Sequence, residues 1–172
     1  MRHLFILLLA ISTQALAQKK KPFPQFEIQS EGKVINNDSL KGKVVFINFW
    51  FSACSPCIAE FEGLNEMYEK LKDSSDIVFI SITFDSEKES KSVRERFHLN
   101  YPMYSLSPQE CTRLLNGKGY PSSFILDREG RIVFSQTGGP VNKAEARKNV
   151  MNEFYKKIMK TAGYRYTGVV DL

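Results

Sequence analysis

Cys54 and Cys57 are the residues of this chain best suited to do chemistry. They are separated by Ser55 and Pro56, follow the apolar run Val44–Trp50, and open a helical pattern. Two sulfurs three positions apart on a first helical turn can close a disulfide. The open N–H groups and the positive dipole end of that turn favour the thiolate of the first cysteine. Cys54 is thus the expected nucleophile. Cys57, one turn further in, is expected to be more buried and to resolve a mixed disulfide formed at Cys54. Other uses of the pair fit less well. A structural disulfide closing so short a loop removes little chain entropy. A zinc site needs two more ligands, and beyond the first residues only Cys111 and His98 are soft candidates.

A third group joins the pair by helical geometry. With Cys57 at zero on a wheel of about 100° per residue, Phe61, Leu64, Met67, Tyr68 and Leu71 share one arc, and Glu62, Glu66 and Glu69 lie opposite. Glu60 falls inside the apolar arc, one turn beyond Cys57. A carboxyl group there loses water, so its pKa should rise. It could then exchange a proton with Cys57. The alternative is a rim glutamate whose long stem carries its head into solvent.

The elements that must position these groups read as β-β-β-α-β-α-β-α-β-β-α. Phe26–Gln29 alternates like an edge strand, and Val34–Ile35 makes a second short one. Lys43–Trp50, apolar at nearly every position, is a central strand covered on both faces. A helix is predicted from Cys54 to Lys72, with Pro56 in its first turn, where the missing N–H costs little. Ile77–Phe84 is a second core strand. Ser86 and Glu89 form a capping-box pattern for a helix over 87–97. Tyr101–Leu106 reads as a strand and Pro108–Leu115 as a short helix holding Cys111. Ser123–Leu126 and Ile132–Phe134 flank a turn at Asp127–Gly130. Asn142 caps a last helix over 143–160. Strands alternating with helices predict an α/β fold with a mixed sheet between helical layers.

The 172 residues suit one domain, and the 13 Phe and 42% hydrophobic content allow a real core. Residues 1–17 read as a signal peptide: Arg2, an apolar run over Leu4–Ile11, and Ala15-Leu16-Ala17 before Gln18. The run falls short of the roughly 20 residues that span a bilayer. Residues 18–24 read as a linker and 25–172 as the domain. Export would let disulfides persist. The net charge is +5, and Lys19–Lys21 supplies much of it. With no aromatic residues interleaved, that run reads as a solvated tail and not as a nucleic-acid site. Asn48 reads as a satisfied buried polar group, His98 as a helix end, and Cys111 as a small core residue.

Gly42–Trp50, Cys54–Cys57 and Gly119–Asp127 together resemble a thioredoxin-fold protein, most closely the exported TlpA/ResA-like thiol–disulfide oxidoreductases. The likeness covers about residues 24–160. It implies a thioredoxin-like three-layer fold with extra N-terminal strands and a central helix/strand insertion. It also implies a cis peptide at Tyr120–Pro121 and a peptide groove. Trp50, Phe51, Ser55, Pro56, Tyr120 and Pro121 would line that groove, Trp50 and Phe51 each half in the core. Cytosolic thioredoxin has a buried aspartate where this chain has Asn48. ResA-like proteins use a glutamate three residues after the second cysteine, and Glu60 stands there. The redox centre implied is the Cys54–Cys57 disulfide itself, with no cofactor and no metal. The partners implied are disulfide or dithiol proteins and a membrane thiol donor. The implied place is the bacterial periplasm, and the implied direction is reduction, with apocytochrome c as one substrate. Two neighbouring activities match less well. Peroxiredoxins carry a threonine where Phe51 stands. Copper-binding assembly factors space their cysteines one residue further apart and use a distal histidine, a place that His98 does not match. A binding module using the groove without turnover is the remaining alternative.

Overall fold

Every residue of β3 (Val44–Trp50) is buried, as an apolar run covered on both faces must be. The computed structural model describes residues 20–30 and 32–164. Beside β3 lie β4 (Ile77–Thr83), parallel to it, and β6 (Ser122–Leu126), antiparallel. β5 (Met103–Ser105) and β7 (Ile132–Thr137) close the edges, giving a five-stranded mixed sheet in the order β5-β4-β3-β6-β7. Helices α1 (Ser55–Leu71), α2 (Glu87–Phe97), α3 (Pro108–Leu115) and α4 (Lys143–Asn149) accompany it. A six-residue π-helical stretch, Val150–Tyr155, joins α4 to α5 (Lys156–Ala162). The predicted last helix is therefore continuous but widened in its middle, with Val150, Met151, Phe154 and Ile158 buried.

Alternation along β3 divides the core. Val44, Phe46 and Trp50 join a cluster with Phe61, Leu64 and Met67 of α1 and with Val150 and Phe154. Val45, Ile47 and Phe49 join Phe23, Phe26, Cys111 and Leu114 on the other face. The capping box at Ser86 and Glu89 is formed, and Asn142 caps α4. His98 is the left-handed C-cap of α2, with φ of 51°.

β1 (Glu27–Ser30) and β2 (Lys33–Asn36), the extra N-terminal strands, pair with each other as a separate antiparallel ribbon. Two expectations are corrected. The linker is partly docked. Pro22 bridges to Arg131, the Phe23 N–H donates to the Gly130 carbonyl at 3.0 Å, and the Phe23 ring is buried edge-on to Phe26 and Phe124. An aromatic side chain that large gains more from burial than a free tail would. Finally, α1 is buried on a wider face than the wheel arc. Ala59 and Gly63 are covered too, because α4 crosses so closely that a Cβ on Gly63 would lie 3.0 Å from the Arg147 Cα. Residues 1–17, expected to form a signal peptide, and the tail beyond Tyr164 lie outside the described residues.

Candidate active site

Cys54 and Cys57 are disulfide-bonded, with Cα atoms 5.2 Å apart. Cys54 is the N-cap of α1, and its sulfur accepts the Cys57 N–H at 3.3 Å. The same donor would serve a thiolate once the bond is reduced. No acidic residue stands in the first turn of α1 to oppose that charge. Cys54 is 4% exposed and Cys57 1%, so the outer sulfur is the one expected. Behind them, Asp85 at the end of β4 holds the incoming loop: its Oδ2 accepts the Ser52 N–H at 2.6 Å, and its own N–H donates to Thr83 Oγ1.

Glu60 is 1% exposed, inside the core and not at the rim. Neither carboxyl oxygen has a hydrogen-bond partner among the described residues. Burial pushes its pKa up to about 8, because ionisation there would leave an unsolvated charge. The group is thus positioned to hold a proton at neutral pH and to surrender it just above.

The Tyr120–Pro121 peptide is cis, and Pro121 is buried. Tyr120 is half-buried and completes an aromatic wall with Phe51 and Phe84. Phe51 stacks on Phe84 at 5.2 Å, and Tyr120 stands edge-on to both. Ser55 is exposed and Pro56 half-buried, so both remain available to a partner. Trp50 is a correction: it is fully buried and no part of a groove. It ends β3 on the same face as Val44 and Phe46, where Phe61 covers it edge-on at 5.4 Å. Asn48 is only half satisfied. Its Nδ2 donates to Ser123 Oγ at 3.1 Å, and its Oδ1 has no partner among the described residues. Cys111 is fully buried in the core cluster against which Phe84 and Tyr120 of the wall pack. Burial pushes its thiol up to about 11, which makes it unreactive at neutral pH.

Phe84, Asp85 and Gly139 were not singled out by the sequence reading. Phe84 and Asp85 follow directly on β4, at the strand end where α/β sites gather, and that position was the available signal.

Comparison with known proteins agrees with this geometry. The Redoxin family model matches residues 18–152. The thiol-disulfide oxidoreductase ResA of Bacillus anthracis is 30% identical over 139 residues, 80% of this chain and 77% of that protein. ResA of Bacillus thuringiensis subsp. konkukian is 29% identical over the same span. Among solved structures, a thioredoxin-family thiol:disulfide interchange protein from Chlorobium tepidum is 25% identical with a TM-score of 0.64, covering 84% of this chain and 98% of that one. A helix-capping cysteine pair suits disulfide exchange, the activity that these relatives' names carry. The chain belongs to the redoxin family and is a thiol–disulfide oxidoreductase of the ResA type.

Proposed function

We propose that the protein is exported and reduces disulfides in partner proteins, apocytochrome c among them. The observation that carries the reading is Glu60, an acid buried without a partner one turn after Cys57. The Cys54 thiolate attacks a partner disulfide, and the partner's first sulfur leaves and takes up a proton. Glu60, in the ionised form that grows as pH approaches 8, accepts the Cys57 proton as Cys57 attacks the Cys54 sulfur. The partner's second sulfur then departs, and the Cys54–Cys57 disulfide forms. Two electrons pass to the partner, whose first sulfur takes its proton from solvent and whose second takes the Cys57 proton back from Glu60; a membrane thiol donor then restores the dithiol.

The charges near the pair support this direction. Strong oxidants of this class owe their potential to a stabilised reduced form. Here the intervening Ser55 and Pro56 bring no cation that would stabilise a thiolate. The reduced form therefore gains no stabilisation from a neighbouring side-chain cation. The apolar run and cleavage pattern over residues 1–17 support export. Among the described residues no helix is long and apolar enough to cross a membrane.

A redox titration tests the direction. A midpoint near that of thioredoxin, about −270 mV, is expected; one near about −120 mV would make the protein an oxidant. The substrate is tested with a disulfide-bonded apocytochrome c peptide. Reduction should exceed that by a simple dithiol at equal concentration, and equality would remove apocytochrome c as a substrate.

A further inference from the structure

Gly139 follows β7 in the turn Gly138-Gly139-Pro140. Gly138 needs its glycine, with φ of 76°, and Gly139 does not: its φ lies outside the left-handed region. The residue before a proline is held to extended conformations that any L-residue adopts. What a side chain at 139 would meet is Glu60. An ideal Cβ there would lie 2.6 Å from Glu60 Oε1, 3.5 Å from its Cδ and 3.7 Å from Pro121 Cγ.

The backbone on the other side of this contact is fastened. The Gly138 N–H donates to the Pro121 carbonyl at 2.8 Å, and Gln136 Nε2 donates to the Gly138 carbonyl at 3.4 Å. The turn is thus tied to the cis-proline loop, and the carboxyl is the free end of a flexible side chain. If the two compete for space, the carboxyl moves.

We propose that Gly139 is a positioning residue for this reaction: its bare Cα is the surface against which the Glu60 carboxyl is held beside the cis-proline loop. The inference rests on the proton-accepting role given to Glu60 above. The other titratable groups around Glu60 are few. Cys57 precedes it by one turn on α1, and the buried Tyr101 phenol is discouraged from ionising by burial and by the Glu60 charge. Arg94 of α2 acts on the same phenol. From α4, Arg147 pairs with Glu66 at 2.7 Å, and Lys143 shares a cavity with Glu62 and Glu66. Pro121 and Gly139 are uncharged.

The test uses Gly139→Ala in the full protein, with Glu60→Asp as the shortened partner. The Glu60 carboxyl is titrated by carbon-13 NMR. Alanine should expel it toward water and lower its midpoint by one pH unit or more; an unchanged midpoint overturns the proposal. Kinetics use 5,5′-dithiobis(2-nitrobenzoate), which Cys54 cleaves first and Cys57 then displaces from Cys54. Alanine should slow the second thiolate release about tenfold, part of the hundredfold or more that a well-placed proton acceptor contributes, and leave the first unchanged. In the Glu60→Asp background the same alanine should cost less than twofold, since the space is vacated. An equal cost in both backgrounds would mean that Gly139 acts through the loop, and would overturn the proposal. A second phase unaltered in Glu60→Gln would instead remove the proton role of Glu60, and the NMR titration would still decide Gly139 by itself.

Discussion

Cys57→Ser should leave a protein that captures its partners and cannot release them. Cys54 keeps its place at the N-cap of α1, and its sulfur keeps the N–H of residue 57 as donor. The first attack therefore proceeds. Serine cannot displace the partner from Cys54, so mixed disulfides accumulate and turnover falls to the background rate of an ordinary thiol. Cys54→Ser should lose both capture and turnover. Covalent partners, resolved under non-reducing conditions and released by dithiothreitol, are the readout. A Cys57→Ser protein that captures nothing would indicate a binding module. The buried Cys111 should not substitute, because its thiol stays protonated at neutral pH.

Glu60→Gln should make the fold more stable and the enzyme slower. The carboxyl titrates at 4.5 in an exposed chain and at about 8 in the folded protein. Below pH 4.5 it is neutral in both states and affects stability in neither direction. As pH rises from 4.5 toward 8 the unfolded chain ionises first, so folding grows less favourable, and above 8 the penalty is complete. At 1.36 kcal/mol per pH unit, the penalty at pH 7 is about 3 kcal/mol. Glutamine is neutral throughout and equally unpartnered. It should therefore match wild type near pH 4 and exceed it by about that amount at pH 7. Urea denaturation at the two pH values checks this, and a stability difference that is the same at both would contradict the burial of Glu60. The rate of exchange should fall about a hundredfold, the lower end of what a positioned proton acceptor contributes. Gain in stability with loss of rate is the mark of a group kept at the fold's expense.

Much of this site was legible because helical geometry is regular. Cys57, Glu60, Phe61 and Leu64 fall on one face whatever the rest of the protein does, and all four are buried. The capping residues Ser86 and Asn142 were legible for a similar reason: each satisfies N–H groups within its own turn. What eluded the sequence depends on distant partners. Trp50 looked like a groove residue by its place beside the cysteines, but strand alternation turns it toward Phe61. Phe23 looked like linker until Phe26 and Phe124 closed around it. The pairing of β1 with β2, and not with the central sheet, is a choice between edges that a short alternating run does not encode. Gly139 carries no local signal, since its requirement comes from a side chain 79 positions earlier.

The central claim is that Cys54 ionises more readily than an ordinary thiol and is reached from outside, while Cys57 is held back. Iodoacetamide alkylation of the reduced protein across pH, with the two sites resolved by peptide mass, tests it most directly. Cys54 should react first, with a midpoint below the usual thiol value of about 8.5, and Cys57 should react later and more slowly. Equal, sluggish modification of both cysteines, rising only above about pH 8.5, would contradict it.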